Sequence, residues 1–129
     1  MLYQRTLVVP ANTPETAPVS DTLKLCAGVS VLREVAFPAG CCGYVHVHVN
    51  DAGWQLIPWS RDEWLASDDD VVEDNSPYPM FTVPYMLTIY GYNEDTVNDH
   101  TVTLRVIMHE GEATELTNLQ QLMDALRGY

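Results

Sequence analysis

The chain has 129 residues, 47% hydrophobic and 19% charged, which suits one globular domain with its own core and is too apolar for a disordered chain. Eighteen acidic residues against six Lys plus Arg give a formal net charge of −12, which excludes binding to nucleic acid or an anionic membrane through clustered basic side chains. The three cysteines, Cys26, Cys41 and Cys42, are an odd number that cannot pair fully within one chain, so a disulfide scaffold is excluded as well.

Met1 to Pro10 carries one Arg and a short apolar run, Leu7-Val8-Val9, that proline ends, so it lacks the apolar core of a signal peptide. No later run reaches the length of a membrane span. The expectation is a soluble product made in the cytoplasm. Proline, glycine and Asn/Asp clusters then cut the chain into short β-rich runs. These predict about eight strands: Tyr3 to Val9, Thr22 to Cys26, Val29 to Phe37, Tyr44 to Val49, Trp54 to Pro58, Met80 to Val83, Met86 to Tyr92 and Thr101 to His109. Regular strands with turn signals between them predict an all-β fold, an antiparallel β-sandwich of jelly-roll-like type.

Taken in order, Pro10 to Pro18 holds three prolines and little to bury, which predicts an extended N-terminal arm along the surface. Tyr44 to Val49 and Thr101 to Met108 alternate apolar and polar residues with period two. That pattern points Val45, Val47, Val49, Val102, Leu104 and Val106 into the sandwich, joined by Leu87 and Ile89. Asn50-Asp51-Ala52-Gly53 predicts a hairpin, since such residues tolerate the positive φ of tight turns. The stretch from Trp59 to Pro79 is acidic and poorly periodic, as a long loop or ragged edge strand would be, and Asn93 to Asp99 reads as a polar turn. In the tail, Thr117 with Gln120 forms a capping box, and Leu119, Leu122, Met123 and Leu126 recur at helical spacing. A short amphipathic C-terminal helix is predicted, too short to persist alone, so its stripe needs a docking surface. The domain organisation expected is 1–20 strand and arm, 21–111 sandwich, and 112–129 helical tail.

Few residues suggest chemistry. His46 and His48 face one side of a strand and make half of a metal site, but no third ligand lies nearby in sequence, so no metal or other cofactor is expected. Asp68, Asp69, Asp70, Glu73 and Asp74, and the turn holding Glu94, Asp95 and Asp99, supply carboxylates without the EF-hand pattern. The adjacent Cys41 and Cys42 read as reduced thiols, and no cysteine or histidine spacing suggests zinc. No nucleophile elbow, HExxH, P-loop or GxGxxG is present, so no catalytic residue is assigned and no enzyme is expected. Trp54, Trp59 and Trp64 cluster within eleven residues. Such aromatics serve as core and subunit contacts or, if exposed, stack on sugars. The expected partner-binding residues are Trp54, Trp59, Leu119, Leu122, Met123 and Leu126.

The words Pro10-Ala-Asn-Thr-Pro, Phe37-Pro-Ala-Gly-Cys, Ile57-Pro and Tyr92-Asn-Glu-Asp with His100-Thr-Val resemble small β-sandwich virion proteins of tailed bacteriophages, the accessory or decoration class. The resemblance spans Tyr3 to His109 and leaves the tail outside. It implies a non-enzymatic structural subunit of the virion, made in the host cytoplasm. Such a subunit binds other virion proteins, the major capsid protein first among them, and self-associates, a trimer being favoured. A carbohydrate-binding module for host attachment and a small cupin-like enzyme are the alternatives from other classes.

Overall fold

Period-two alternation gives each strand one apolar face, and those faces must be buried against each other. In the computed structural model, which describes residues 1–111, they meet between two five-stranded antiparallel sheets. The strands are β1 (Leu2–Val9), β2 (Val19–Lys24), β3 (Gly28–Phe37), β4 (Val45–Asp51), β5 (Trp54–Ile57), β6 (Leu65–Ala66), β7 (Asp70–Asp74), β8 (Tyr78–Met80), β9 (Met86–Asn93) and β10 (His100–Glu110). Sheet A runs β1-β10-β3-β7, with β8 also on β3, and sheet B runs β2-β9-β4-β5, with β6 also on β4.

The ten strands fill eight positions. Strand β7 pairs with Arg33 to Phe37 and β8 with Gly28 to Ser30 along one edge of β3. In sheet B, β5 and β6 divide the edge of β4 in the same way. The pairs are nested, β1 with β10, β2 with β9, β3 with β7 and β8, and β4 with β5 and β6. That nesting is the jelly roll, a long hairpin rolled so that successive pairs fall in alternate sheets. The ragged stretch expected between Trp59 and Pro79 is therefore two split edges.

The core is the one the alternation predicts. Val45, Val47, Val49, Leu87, Ile89, Val102, Leu104 and Val106 are all fully buried, at roughly 1.5 to 3 kcal/mol for each side chain taken from water. Gly91 sits among them, where an added Cβ would lie 3.0 Å from Val9 and 3.3 Å from Leu7. Most strand ends move by one or two residues, and two strands move by three at one end. Strand β2 begins at Val19 because its register against β9 sets Leu23 opposite Leu87. The strand expected over Met80 to Val83 lies at Tyr78–Met80, and residues 81–85 turn the chain into β9.

Strand β1 is not a detached arm. It pairs with β10 along all of Leu2 to Val9. The proline-rich stretch then crosses over the surface from sheet A to sheet B, tied down by Ala11 N donating to Asp99 Oδ1 (2.8 Å), Asn12 N to Asp95 O (2.9 Å) and Asn93 N to Thr13 O (3.0 Å). The tail with Leu119, Leu122, Met123 and Leu126 lies outside the described residues.

One buried residue was not expected from the sequence. Arg33 lies on the inner face of β3 at 2% exposure. Its guanidinium donates to Ser30 O and Oγ at 3.2 and 2.8 Å and to Ser76 O at 2.6 Å, and it pairs with Asp74 at 3.3 Å. It thereby satisfies the backbone where the edge breaks between β7 and β8.

Candidate functional site

The outward positions of β4 and β9 are set by the same alternation that fills the core. Register places His46 beside Tyr92, His48 beside Tyr90 and Asn50 beside Thr88. The rings consequently stack, His46 on Tyr92 at 4.4 Å and 3°, and His48 on Tyr90 at 4.8 Å and 26°. Trp64 arrives from the preceding loop and meets His48 at 4.4 Å and Tyr92 at 4.7 Å, both edge-on. Five rings thus cover this part of sheet B.

The loop that delivers Trp64 is shaped by one side chain. Gln55 on β5 donates its amide nitrogen to Pro58 O (2.8 Å), Ser60 O (3.0 Å) and Glu63 O (3.0 Å). This curls residues 58–63 over the sheet and leaves a half-open cleft of about 460 Å³. His48 and Asn50 come from β4, Gln55 from β5, Arg61, Asp62, Glu63 and Trp64 from the loop, and Glu15 from the crossover. The lining is mainly polar with Trp64 as its large apolar wall.

Burial holds the His48 pKa below the usual histidine value, only partly offset by its bond to Asn50, so the ring is neutral at pH 7. With Nδ1 2.8 Å from Asn50 Oδ1, the neutral ring donates there and keeps Nε2 as an acceptor. His46 differs. Its Nε2 lies 3.2 Å from Glu94 Oε1, but the alignment is not that of a hydrogen bond, and the buried nitrogen has no hydrogen-bond partner among the described residues. Burial, then the charges of Glu15 and Glu94, push the Tyr92 hydroxyl pKa up.

Of the expected partner-binding residues, Trp54 and Trp59 are 43% and 59% exposed. They meet edge-on at 5.7 Å, and Arg61 lies over the Trp54 ring at 4.6 Å. The exposed pair therefore adjoins the cleft through Arg61. Leu119, Leu122, Met123 and Leu126 fall outside the described residues.

The remaining sequence candidates are held in local structure. Asp68 Oδ1 accepts from the backbone of Gly40 (2.9 Å) and Cys42 (3.0 Å). Asp95 caps its own turn and pairs with His100 at 2.9 Å. Cys41 is buried, which pushes its thiol pKa up, while Cys42 is exposed. Among the described residues no three His, Cys, Asp or Glu side chains are grouped to hold a metal.

The outer face of sheet A is plainer. Across it run Leu2, Ile107 and Leu32 in one row and Thr6, Thr103, Ala36 and Val71 in another. Between them Arg105 pairs with Glu34 at 3.2 Å and donates its Nε–H to Gln4 Oε1 at 3.1 Å, and Glu73 lies beside Glu34 on β7. Leu2 is 64% exposed and Val8 55%.

Sequence reasoning found His46, His48 and the tryptophans but not the cleft. Gln55, Arg61, Asp62 and Glu63 carry no motif, and their convergence depends on three backbone bonds to one amide. No known family model matches the chain, and no curated protein matches it.

Proposed function

We propose that this protein is a structural virion subunit of a tailed bacteriophage, a capsid decoration or cement protein that works by protein-protein contact. The observation that carries the proposal is the outer face of sheet A. In a chain of net charge −12, this face sets Leu2, Val8, Ile107, Leu32 and Val71 among threonines, and of the two acids side by side in its middle row, Glu34 and Glu73, the first is paired with Arg105. A sheet face with exposed apolar side chains suits burial against another protein. Major capsid protein is the first partner proposed, and self-association into a trimer the second.

The resemblance of its short words to small virion proteins supports the same reading. Jelly rolls also serve as lectin domains and cupins, so fold alone does not choose among them. The cupin alternative loses ground because His46, His48 and His100 are engaged with Tyr92, with Asn50 and with Asp95 respectively.

Virions purified from the phage that encodes the chain provide the test. Mass spectrometry should find this protein as a stoichiometric component, and Leu2→Glu with Val8→Glu should abolish its retention without unfolding it. Absence from the virion would refute the reading.

A further inference from the structure

The cleft on sheet B lies on the sheet opposite the proposed docking face, so it stands or falls independently of that reading. We infer that it binds a neutral saccharide.

Its size is the first argument. At about 460 Å³ it falls within the range of small-ligand sites. Its chemistry is the second. A sugar hydroxyl both donates and accepts, so its binding site needs acceptors and donors side by side. Glu15, Asp62 and Glu63 bring carboxylate acceptors, and His48 keeps Nε2 as a neutral acceptor. Arg61 and the Asn50 amide nitrogen bring donors. The third argument is the aromatic wall. Trp64 is fixed by its contacts with His48 and Tyr92, as a rigid stacking surface for an apolar sugar face must be.

Charge selects the class of saccharide. Three acidic residues and one Arg line the cleft, and the whole chain carries −12, so sialylated, sulfated and uronic sugars are repelled. A neutral ring loses nothing to that field.

The test uses the full chain, labelled with nitrogen-15, titrated separately with maltose, cellobiose, lactose and chitobiose, and with sialyllactose and tetralysine as charged controls. At least one neutral disaccharide should give saturable shifts of the His48, Asn50 and Arg61 to Trp64 amides at about 1 mM or below. The combined Arg61→Ala, Asp62→Asn, Glu63→Gln variant changes exposed side chains only and should weaken that binding at least about tenfold with an unchanged circular dichroism spectrum. Glu15→Gln, on a separate segment, should weaken it as well and serves as the check if the loop variant alters the fold. The inference is overturned if no neutral disaccharide binds up to about 10 mM, if only sialyllactose or tetralysine binds, or if binding is untouched in both variants.

Discussion

The Tyr78 hydroxyl donates to Asp51 Oδ2 at 2.6 Å, joining β8 of sheet A to β4 of sheet B at the end of the sandwich where the β4–β5 hairpin turns. Burial first, then the bond to Asp51 and its charge, push the Tyr78 pKa up to about 12. Replacing Tyr78 by Phe keeps the ring and strands the Asp51 carboxylate, which should cost about 1 to 3 kcal/mol by denaturant unfolding. The pH dependence has a definite sign. A hydroxyl whose folded value is raised contributes stability that is complete below pH 10 and is lost as pH rises towards about 12. Tyr78→Phe should flatten that loss, and an unchanged alkaline transition would show that the hydroxyl does not bridge the sheets.

Arg33 makes the second prediction. Its charge is buried at 2% exposure and satisfied by Ser30, Ser76 and Asp74. Burial raises the Asp74 pKa, but the bonds from Ser76 and the charge and bond of Arg33 outweigh it and leave the carboxyl below its ordinary value. Arg33→Ala removes the guanidinium shared by Ser30, Ser76 and Asp74, although Asp74 keeps its bonds from Ser76, and opens a cavity, so equilibrium unfolding should register a loss of about 2 to 4 kcal/mol. Arg33→Met, which refills the space without charge, should recover part of it. Equal stability of Arg33→Ala and the parent would mean that the network adds nothing.

These two sites also mark where sequence reading stops. Strands β4 and β10 were legible because each alternates with one buried face, and the eight side chains expected in the core are all fully buried. Arg33 shares its face with Val35 and Phe37, but its charge masks that period and its partners lie in the aperiodic stretch, so no local pattern announces its burial. The hairpin at Asn50 to Gly53 was legible too, yet the residue that takes the left-handed φ is Ala52, at 50°, rather than the neighbouring Asn, Asp or Gly. Tertiary pairing fixed that choice, as it fixed the cleft. Trp64 could be named from the sequence, but its position depends on the loop that Gln55 curls.

Acid titration should report on the turn between β9 and β10. Bonds from the backbone of Val97, from His100 and from the backbone of Asn98 hold the Asp95 carboxyl down to about 2. A depressed carboxyl contributes stability that is present above the ordinary carboxylate range near 3.8 and lost as pH falls towards about 2. Asp95→Asn should therefore lower the melting temperature at neutral pH and leave it much closer to the parent near pH 2. A constant difference across that window would assign the effect to shape rather than charge. Proton chemical shifts of His100, whose Nε2 lies 2.9 Å from Asp95 Oδ2, give a local check.

The last prediction separates folding from assembly. Among the described residues the buried core cluster runs from Leu7 to Met108, and β10 closes with Gly111 N donating to Ala27 O at 3.1 Å. A chain cut after Gly111 should therefore keep its sandwich, with a strand-dominated circular dichroism spectrum and a cooperative melt. What it loses is the stripe of Leu119, Leu122, Met123 and Leu126. Burying four such side chains against a neighbour would supply roughly 6 to 12 kcal/mol before ordering costs, at about 1.5 to 3 each, enough to decide association. The truncated chain should then sediment as a lighter species than the parent or fail to bind the particle, with its melting temperature nearly unchanged. A large drop in melting temperature would place the stripe on its own domain. Full stability together with full association would remove the tail from the interface and leave the Leu2 and Val8 face, with Trp54 and Trp59, as the surfaces that hold the neighbour.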